Sequence, residues 1–405
     1  MPYFMASRAV WNYDLSLTVP ENTLAALKAS LDQSRIDQKA LGPMGNSVLT
    51  TYFPMTGGRG EIGPLPQWTV MYLLSQDDRA REVMLAVGDS AGSVPIHYRD
   101  ETSDLPVDLD AYPRIAVRFG TSVPSLPPVS NGTTIWTADT AHQGSFAYVP
   151  YLITGDAFYL EEGMFWASWN LTSENPGYRN NGEGLVKNAQ IRGQAWMLRS
   201  IGEVSRILPD SHSHKSYYTK RMQNNLDWYA ASYPNNPDSS ALYPLNALPK
   251  PDEKHLTGPW QNDFMMLVFS LFTENGEPKA AETLSWLSGF SVERFQQQAS
   301  GFCMAKAPGY YFNILTTGGT PATTWKELFT LNWPSITSCD GLAIDPTSYP
   351  DSASGYAAYG RAMLGAASNA GISKAKSAYN NWKTMTPGVD IASPNNPTWA
   401  IVPRL

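Results

Sequence analysis

Few side chains in this sequence combine reactivity with scarcity. Histidine occurs five times in 405 residues, and one of the five, His142, lies in TADTAHQGSFAYVPYLITGD (137–156) beside Gln143 and upstream of Tyr148 and Tyr151. An imidazole and a phenol can each take up and return a proton at a reacting centre. Other polar clusters stand at comparable places. Arg59 and Glu61 lie in TGGRGEIGPLPQW, and Asn188, Arg192, Gln194 and Trp196 lie in GLVKNAQIRGQAWMLR. Trp260, Gln261 and Asp263 open GPWQNDFMM, and Asp139 precedes His142. Each cluster sits just before, or in the first turns of, a segment with helical periodicity.

Two chemistries use such groups. Glycoside hydrolysis needs a pair of carboxyls, for which Glu61, Asp139 and Asp263 are available. β-Elimination on a uronic acid instead needs a cation or amide on the sugar carboxylate, a base for the C5 proton and an acid for the leaving oxygen. His or Tyr can supply the proton transfers; a tyrosine with an ordinary pKa of about 10 becomes a usable base beside an arginine. Each residue also has a purely structural reading. Asp139 fits a helix N-cap, Glu61 and Asp263 fit first-turn acids, and Arg192 fits an ion pair with Glu183 or Glu203.

Other chemistries lack their signatures. TGGRGEIG has neither a GK(S/T) ending nor a preceding strand, so it is not a phosphate loop. His212 and His214 fall in an inter-helix turn, SHSH, without a metal-ligand pattern, and no GxSxG elbow is present. The reading is therefore free of metal and cofactor. A net charge of −7 with no basic run argues against nucleic acid. The longest apolar run, FMMLVFSLF (264–272), is too short for a bilayer, and MPYFMASRAVWNYD does not have the layout of a signal peptide. The chain reads as soluble. The abrupt start also fits a piece of a longer extracellular or particle-associated protein. Cys303 and Cys339 fit one disulfide or two buried thiols. Asn131-Gly-Thr and Asn170-Leu-Thr match the glycosylation pattern.

The elements that must position these groups are helices in pairs. Periodicity predicts helices over 21–40 and 64–82, then pairs at 141–153 and 156–170, 184–206 and 214–232, 258–273 and 277–290, and 354–369 and 372–384. The first of each pair is apolar nearly all round and the second amphipathic, as expected of buried inner and exposed outer helices. The expectation is a mainly α fold, an (α/α) toroid or incomplete (α/α) barrel of helical hairpins with short β insertions. It forms a single domain over 1–405, with irregular or β excursions at about 85–135 (VMLAVG, SVPIHYRDE, RIAVRFG) and 300–350. In a toroid the equivalent ends of inner helices surround one funnel, so the polar clusters would converge there. Of 13 Trp, 21 Tyr and 14 Phe, most belong to the core, while Trp196 and Trp260 are placed to stack on sugars.

EIGPLP, a His followed nine residues later by a Tyr, and IRG downstream resemble the chondroitin AC, hyaluronate and xanthan lyase family, over roughly residues 55–200. That resemblance implies a helical toroid and a polysaccharide lyase. His142 would match the catalytic His, Tyr151 the acid/base Tyr, Arg192 the supporting Arg and Glu61 the acid of EIG. The Asn that precedes EIG in that family is missing, so Arg59 or Gln143 would meet the uronate carboxylate. The family's long C-terminal β-sandwich region is missing too. Tyr148 is a second candidate base, and Arg59, Gln143, Asn188, Gln194, Trp196, Trp260 and Asp263 are candidate binding residues for a poly- or oligosaccharide. The alternatives are a glycoside hydrolase on the same toroid and a non-catalytic glycan-binding or particle-associated module. One straight helix would put Tyr151 about 180° from His142, so their pairing requires the helix to begin after His142, near Ser145.

Overall fold

A computed structural model describes residues 2–37, 44–55, 57–117, 123–127, 134–344, 352–385, 391 and 393–404. Among them the chain is mainly helical. The helices are α1 (Pro2–Ala6), α2 (Glu21–Ile36), α3 (Gln67–Ser75), α4 (Asp78–Ala91), α5 (Tyr148–Thr154), α6 (Ala157–Ser173), α7 (Ile191–Ile207) and α8 (Lys215–Ser232). They continue with α9 (Ser239–Leu242), α10 (Pro259–Glu274), α11 (Pro278–Ser291), α12 (Trp325–Asn332), α13 (Tyr356–Asn369) and α14 (Ala375–Met385). Two short strands, β1 (Leu256–Thr257) and β2 (Phe312–Asn313), pair antiparallel with Leu256 opposite Asn313. Among the described residues no helix is long and apolar enough to cross a membrane.

The chain divides into two compact units. One comprises Met1–Leu17, Gln190–Arg192 and Leu226–Leu405; the other comprises Thr18–Ala189 and Gly193–Asn225. In the first unit, α10 packs on α11 and on α13, and α13 packs on α14. Both α10 and α13 are buried along almost their whole length, while α11 and α14 bury one face, in line with the all-round apolar and amphipathic patterns of their sequences. The two ends of the described chain are stitched into this unit. Trp11 Nε1 donates to Leu267 O at 2.9 Å, Asp14 N to Ala400 O at 2.8 Å and Val402 N to Asn12 O at 2.9 Å. Cys303 and Cys339 are joined by a disulfide.

In the other unit α3 and α2 pack on α4, and α5 and α6 pair and pack on α4. Here the order reverses: α6 is the more buried partner. The expected helix over 64–82 is two helices. Gln76 takes a left-handed φ of 56°, and the carboxylate of Asp77 accepts from Arg79 N at 2.8 Å to start α4. VMLAVG consequently lies inside α4 and is not a strand; Val83, Met84, Ala86, Val87 and Gly88 are buried in a helix that packs on α2, α3, α5 and α6. SVPIHYRDE is irregular, with a single bridge between Arg99 and Pro106. In the 300–350 stretch only β2 is strand among the described residues, and α12, capped by Thr324 with Glu327, was not anticipated.

One buried ion pair holds the first unit's core. Asp263 on α10 is 1% exposed, and Arg294, in the turn after α11, is fully buried. Arg294 Nη2 donates to both Asp263 oxygens at 2.7 and 2.5 Å, while Nε and Nη1 donate to Ala307 O at 3.0 Å and Ser291 O at 2.8 Å. Burial pushes the Asp263 carboxyl up to about 6, against the opposing pull of Arg294. Removing one partner strands a buried charge. Asp263→Ala is expected to cost about 3–5 kcal/mol in urea denaturation, and a loss under about 1 kcal/mol would contradict this role.

Candidate functional site

Pro150 decides where α5 begins. A proline in a helix interior loses its i−4 hydrogen bond and clashes with the preceding turn, but it is accepted in the first turn. Helix α5 starts at Tyr148, which makes Pro150 its third residue. The expected helix over 141–153 is therefore a lead-in loop through Ala147 followed by α5, which ends at Gly155 with φ 68°. His142 and Gln143 lie on that loop. The condition for pairing His142 with a tyrosine of α5 is met as far as the helix start is concerned.

On the loop, His142 is 6% exposed and its Nδ1 is hydrogen-bonded to Asp139 Oδ2. A carboxylate only accepts, so Nδ1 carries the proton in this contact. Asp139 thus orients an imidazole and does not cap a helix. Tyr148 is buried, and burial, reinforced by Glu203, pushes its phenol well above its ordinary value, which unsuits it as a base. Tyr151 is half-buried.

Arg199 on α7 joins the motif segments. It is 1% exposed, and its Nη1 donates to Gly63 O at 2.6 Å and its Nη2 to Gln143 O at 3.2 Å. The EIG segment and the HQG loop are thereby held by one guanidinium. Two glycines permit the contact. A Cβ on Gly144 would stand 2.5 Å from Glu61 O, and one on Gly193 would stand 3.3 Å from Thr140 Oγ1 and 3.7 Å from Ala141 Cα. The HQG loop thus lies against EIG, and the RG glycine of α7 lies against Thr140 and Ala141 at the start of that loop.

Several candidate binding residues are committed to this framework. Gln143 is fully buried; its amide exchanges two hydrogen bonds with Asn170 of α6, at 2.7 and 3.0 Å, and its Nε2 also donates to Thr140 O. It is a structural link and has no free edge for a sugar. Asn170 is itself fully buried, which removes Asn170-Leu-Thr as an accessible glycosylation site in the folded chain; Asn131 lies outside the described residues. Arg59 shares its guanidinium among Glu61 Oε1 at 2.6 Å, Phe53 O at 3.1 Å and Met55 O, and Glu61 is 4% exposed. Gln194 Nε2 ties down the turn before α7 through Lys187 O at 3.1 Å and Ala189 O at 2.6 Å. Trp196 is 0% exposed with Arg199 over its ring, so it packs the core and shows no face to a ligand. Asn188 is exposed.

The other unit holds the remaining three candidates. The guanidinium carbon of Arg192 lies 5.2 Å from the centre of the Trp260 ring, a cation–π arrangement. Trp260 stacks on Tyr310 and Tyr356 and donates from Nε1 to Tyr310 O at 3.1 Å. Tyr310 is 39% exposed. Asp263 is held by Arg294 as described above, which takes it out of contact with a ligand.

Glu203 was considered in the sequence only as an ion-pair partner for Arg192. It lies one turn beyond Arg199 on α7, accepts from Ser145 Oγ at 2.8 Å, and sits with Tyr148, Trp166 and Ser200 around a small hollow of about 20 Å³. Burial pushes its carboxyl up to about 7, opposed by Arg199 and Ser145. Its i, i+4 spacing from Arg199 was the available signal. No protein family, curated protein or solved structure matches this chain.

Two outcomes are expected. Arg199→Lys, which cannot span both carbonyls with a planar fork, should destabilise the protein by about 2–3 kcal/mol; an unchanged denaturation midpoint would count against the clip. The folded Glu203 binds a proton at higher pH than an unfolded glutamate, whose value is about 4.3. Its contribution to stability is therefore complete below about pH 4 and is lost as pH rises through about 7. Denaturation at pH 5 and pH 8 should differ less in Glu203→Gln than in wild type, by an amount on the order of 3 kcal/mol.

Proposed function

We propose that the chain is a carbohydrate-active enzyme of the (α/α) toroid kind that cleaves a uronate-containing polysaccharide by β-elimination. The observation that carries this reading is that Arg199 of α7 bonds both the EIG and HQG segments, with Gly193 of the RG pair against Thr140 and Ala141. The inner and outer helix pairs α10/α11 and α13/α14 agree with it.

In this reading Tyr151 takes the C5 proton. A C4–C5 double bond forms as the C4–O bond breaks, and the proton passes from Tyr151 to the leaving oxygen. His142, oriented through Nδ1 by Asp139, assists the phenol. Tyr148 drops out of the role because burial opposes its ionisation. Arg59 is already divided among three oxygens, so it is not the cation that meets a uronate. Hydrolysis is the weaker reading. Glu61 is tied to Arg59, Asp139 to His142 and Asp263 to Arg294, so none of the three is an uncommitted acid.

The test is incubation with a panel of uronate polysaccharides while following the absorbance of the unsaturated product. Wild type should produce a rise, and His142→Ala and Tyr151→Phe should each lower kcat by about 100-fold or more. Reducing ends without that absorbance would replace elimination with hydrolysis. Binding without any turnover, unaffected by both substitutions, would point to a glycan-binding module.

A further inference from the structure

A second, larger pocket lies in the unit that carries His142, and it makes no use of the groups discussed so far. It holds about 440 Å³, and its walls include Met44, Val94, Pro95, Ile135 and Trp136. Met44 and Ile135 are 82% and 68% exposed at its rim. Polar groups are few. Ser93 Oγ is spent on Gly45 O at 2.7 Å and Tyr98 Oη on Pro127 O at 3.0 Å. Thr134 Oγ1 accepts from Trp136 N at 3.2 Å, and His97 is the remaining ionisable side chain on the wall.

His97 is built in, not loosely placed. Its Nε2 lies 2.8 Å from Glu162 Oε1, and its ring meets the edge of Phe165 at 4.8 Å between centres. Glu162, on α6, is 4% exposed, and its second oxygen, Oε2, is buried without a hydrogen-bond partner among the described residues. Folded proteins rarely leave a buried carboxylate oxygen unmet, and such atoms mark places where something other than stability sets the residue. A carboxylate accepts only, so Nε2 is the donor and Nδ1 of the neutral ring is left as an acceptor. No described residue hydrogen-bonds to Nδ1.

We propose that this pocket is a binding site for a small aromatic molecule carrying one hydroxyl, a phenol-type ligand. The ring takes the apolar wall of Ile135, Trp136 and Met44, and the hydroxyl donates to His97 Nδ1, with Glu162 fixing the tautomer. Apolar walls with a few placed polar groups and a volume of about 440 Å³, inside the range for small-molecule sites, suit such ligands. A sugar, with a hydroxyl on nearly every carbon, would leave most of its donors unmet against these walls. The site stands whether or not the elimination reading does.

The experiment compares 4-methylphenol with 4-methylanisole, which has the same ring but no donor, by ligand-observed saturation-transfer NMR on the full chain. Wild type should bind the phenol about 10-fold more tightly, the worth of one hydrogen bond of roughly 1.4 kcal/mol. His97→Phe should abolish that preference while leaving the anisole nearly unchanged. Ile135 is exposed and tolerates replacement, so Ile135→Asp keeps the test alive if His97→Phe does not fold; it should weaken both probes. Equal affinity for the two probes in wild type, no binding of either, or binding untouched by both substitutions would overturn the proposal.

Discussion

The Arg199 guanidinium is the contact on which the arrangement around His142 depends. Buried in α7, it spends two nitrogens on main-chain oxygens of segments about eighty residues apart in the chain, Gly63 and Gln143. Carbonyls in a loop have no helical or sheet partner, so burying them requires a donor from elsewhere. A fork with several rigid N–H groups meets two at once, which a lysine cannot do. Gly144 and Gly193 are glycines for the complementary reason: a side chain at Gly144 would collide with Glu61 O, and one at Gly193 would crowd Thr140. A charge, two carbonyls and two missing side chains together bring three short motifs into register.

The same framework explains why so many of the polar residues near the motifs are not available to a ligand. Gln143 and Asn170 satisfy each other, Gln194 holds a turn, and Glu61 and Arg59 neutralise one another in a buried setting. A loop buried beside helices exposes many main-chain groups to desolvation, and side-chain amides are well suited to meet them. Polar residues clustered near helix starts are thus shared between anchoring the loop and facing the solvent. Burial separates the two sets: Tyr151 keeps a partly open side, while Gln143 and Trp196 do not.

Helix positions were largely legible in the amino-acid pattern because apolar residues at helical spacing mark a buried face. The segments that became α6, α8, α10, α11, α13 and α14 begin and end close to where the periodicity places them. The misjudged boundaries have local causes. Pro150 forbids α5 from starting much earlier, and the Gln76–Asp77 turn separates α3 from α4. Both signals are present in the sequence, but each requires weighing one residue against a strong apolar pattern. The partners of buried charges were not legible. Nothing in the spacing links Asp263 to Arg294 or Arg199 to Gly63, since those pairings arise only when distant segments pack. Glu203 was hidden for the same reason, because its raised carboxyl reflects burial beside Ser145 and Tyr148.

The bond between Cys303 and Cys339 bears on where the chain can reach its final form. Cys303 is 3% exposed, so once the first unit is packed the thiol chemistry at that end is shielded from small reductants. Disulfides of this kind form and persist in oxidising surroundings and are kept open in a reducing cytosol. A chain made in a reducing compartment would have to pack the stretch from 303 to 339 without its covalent link. The oxidation state of the host, and not only the amino-acid sequence, therefore decides how firmly that stretch is anchored.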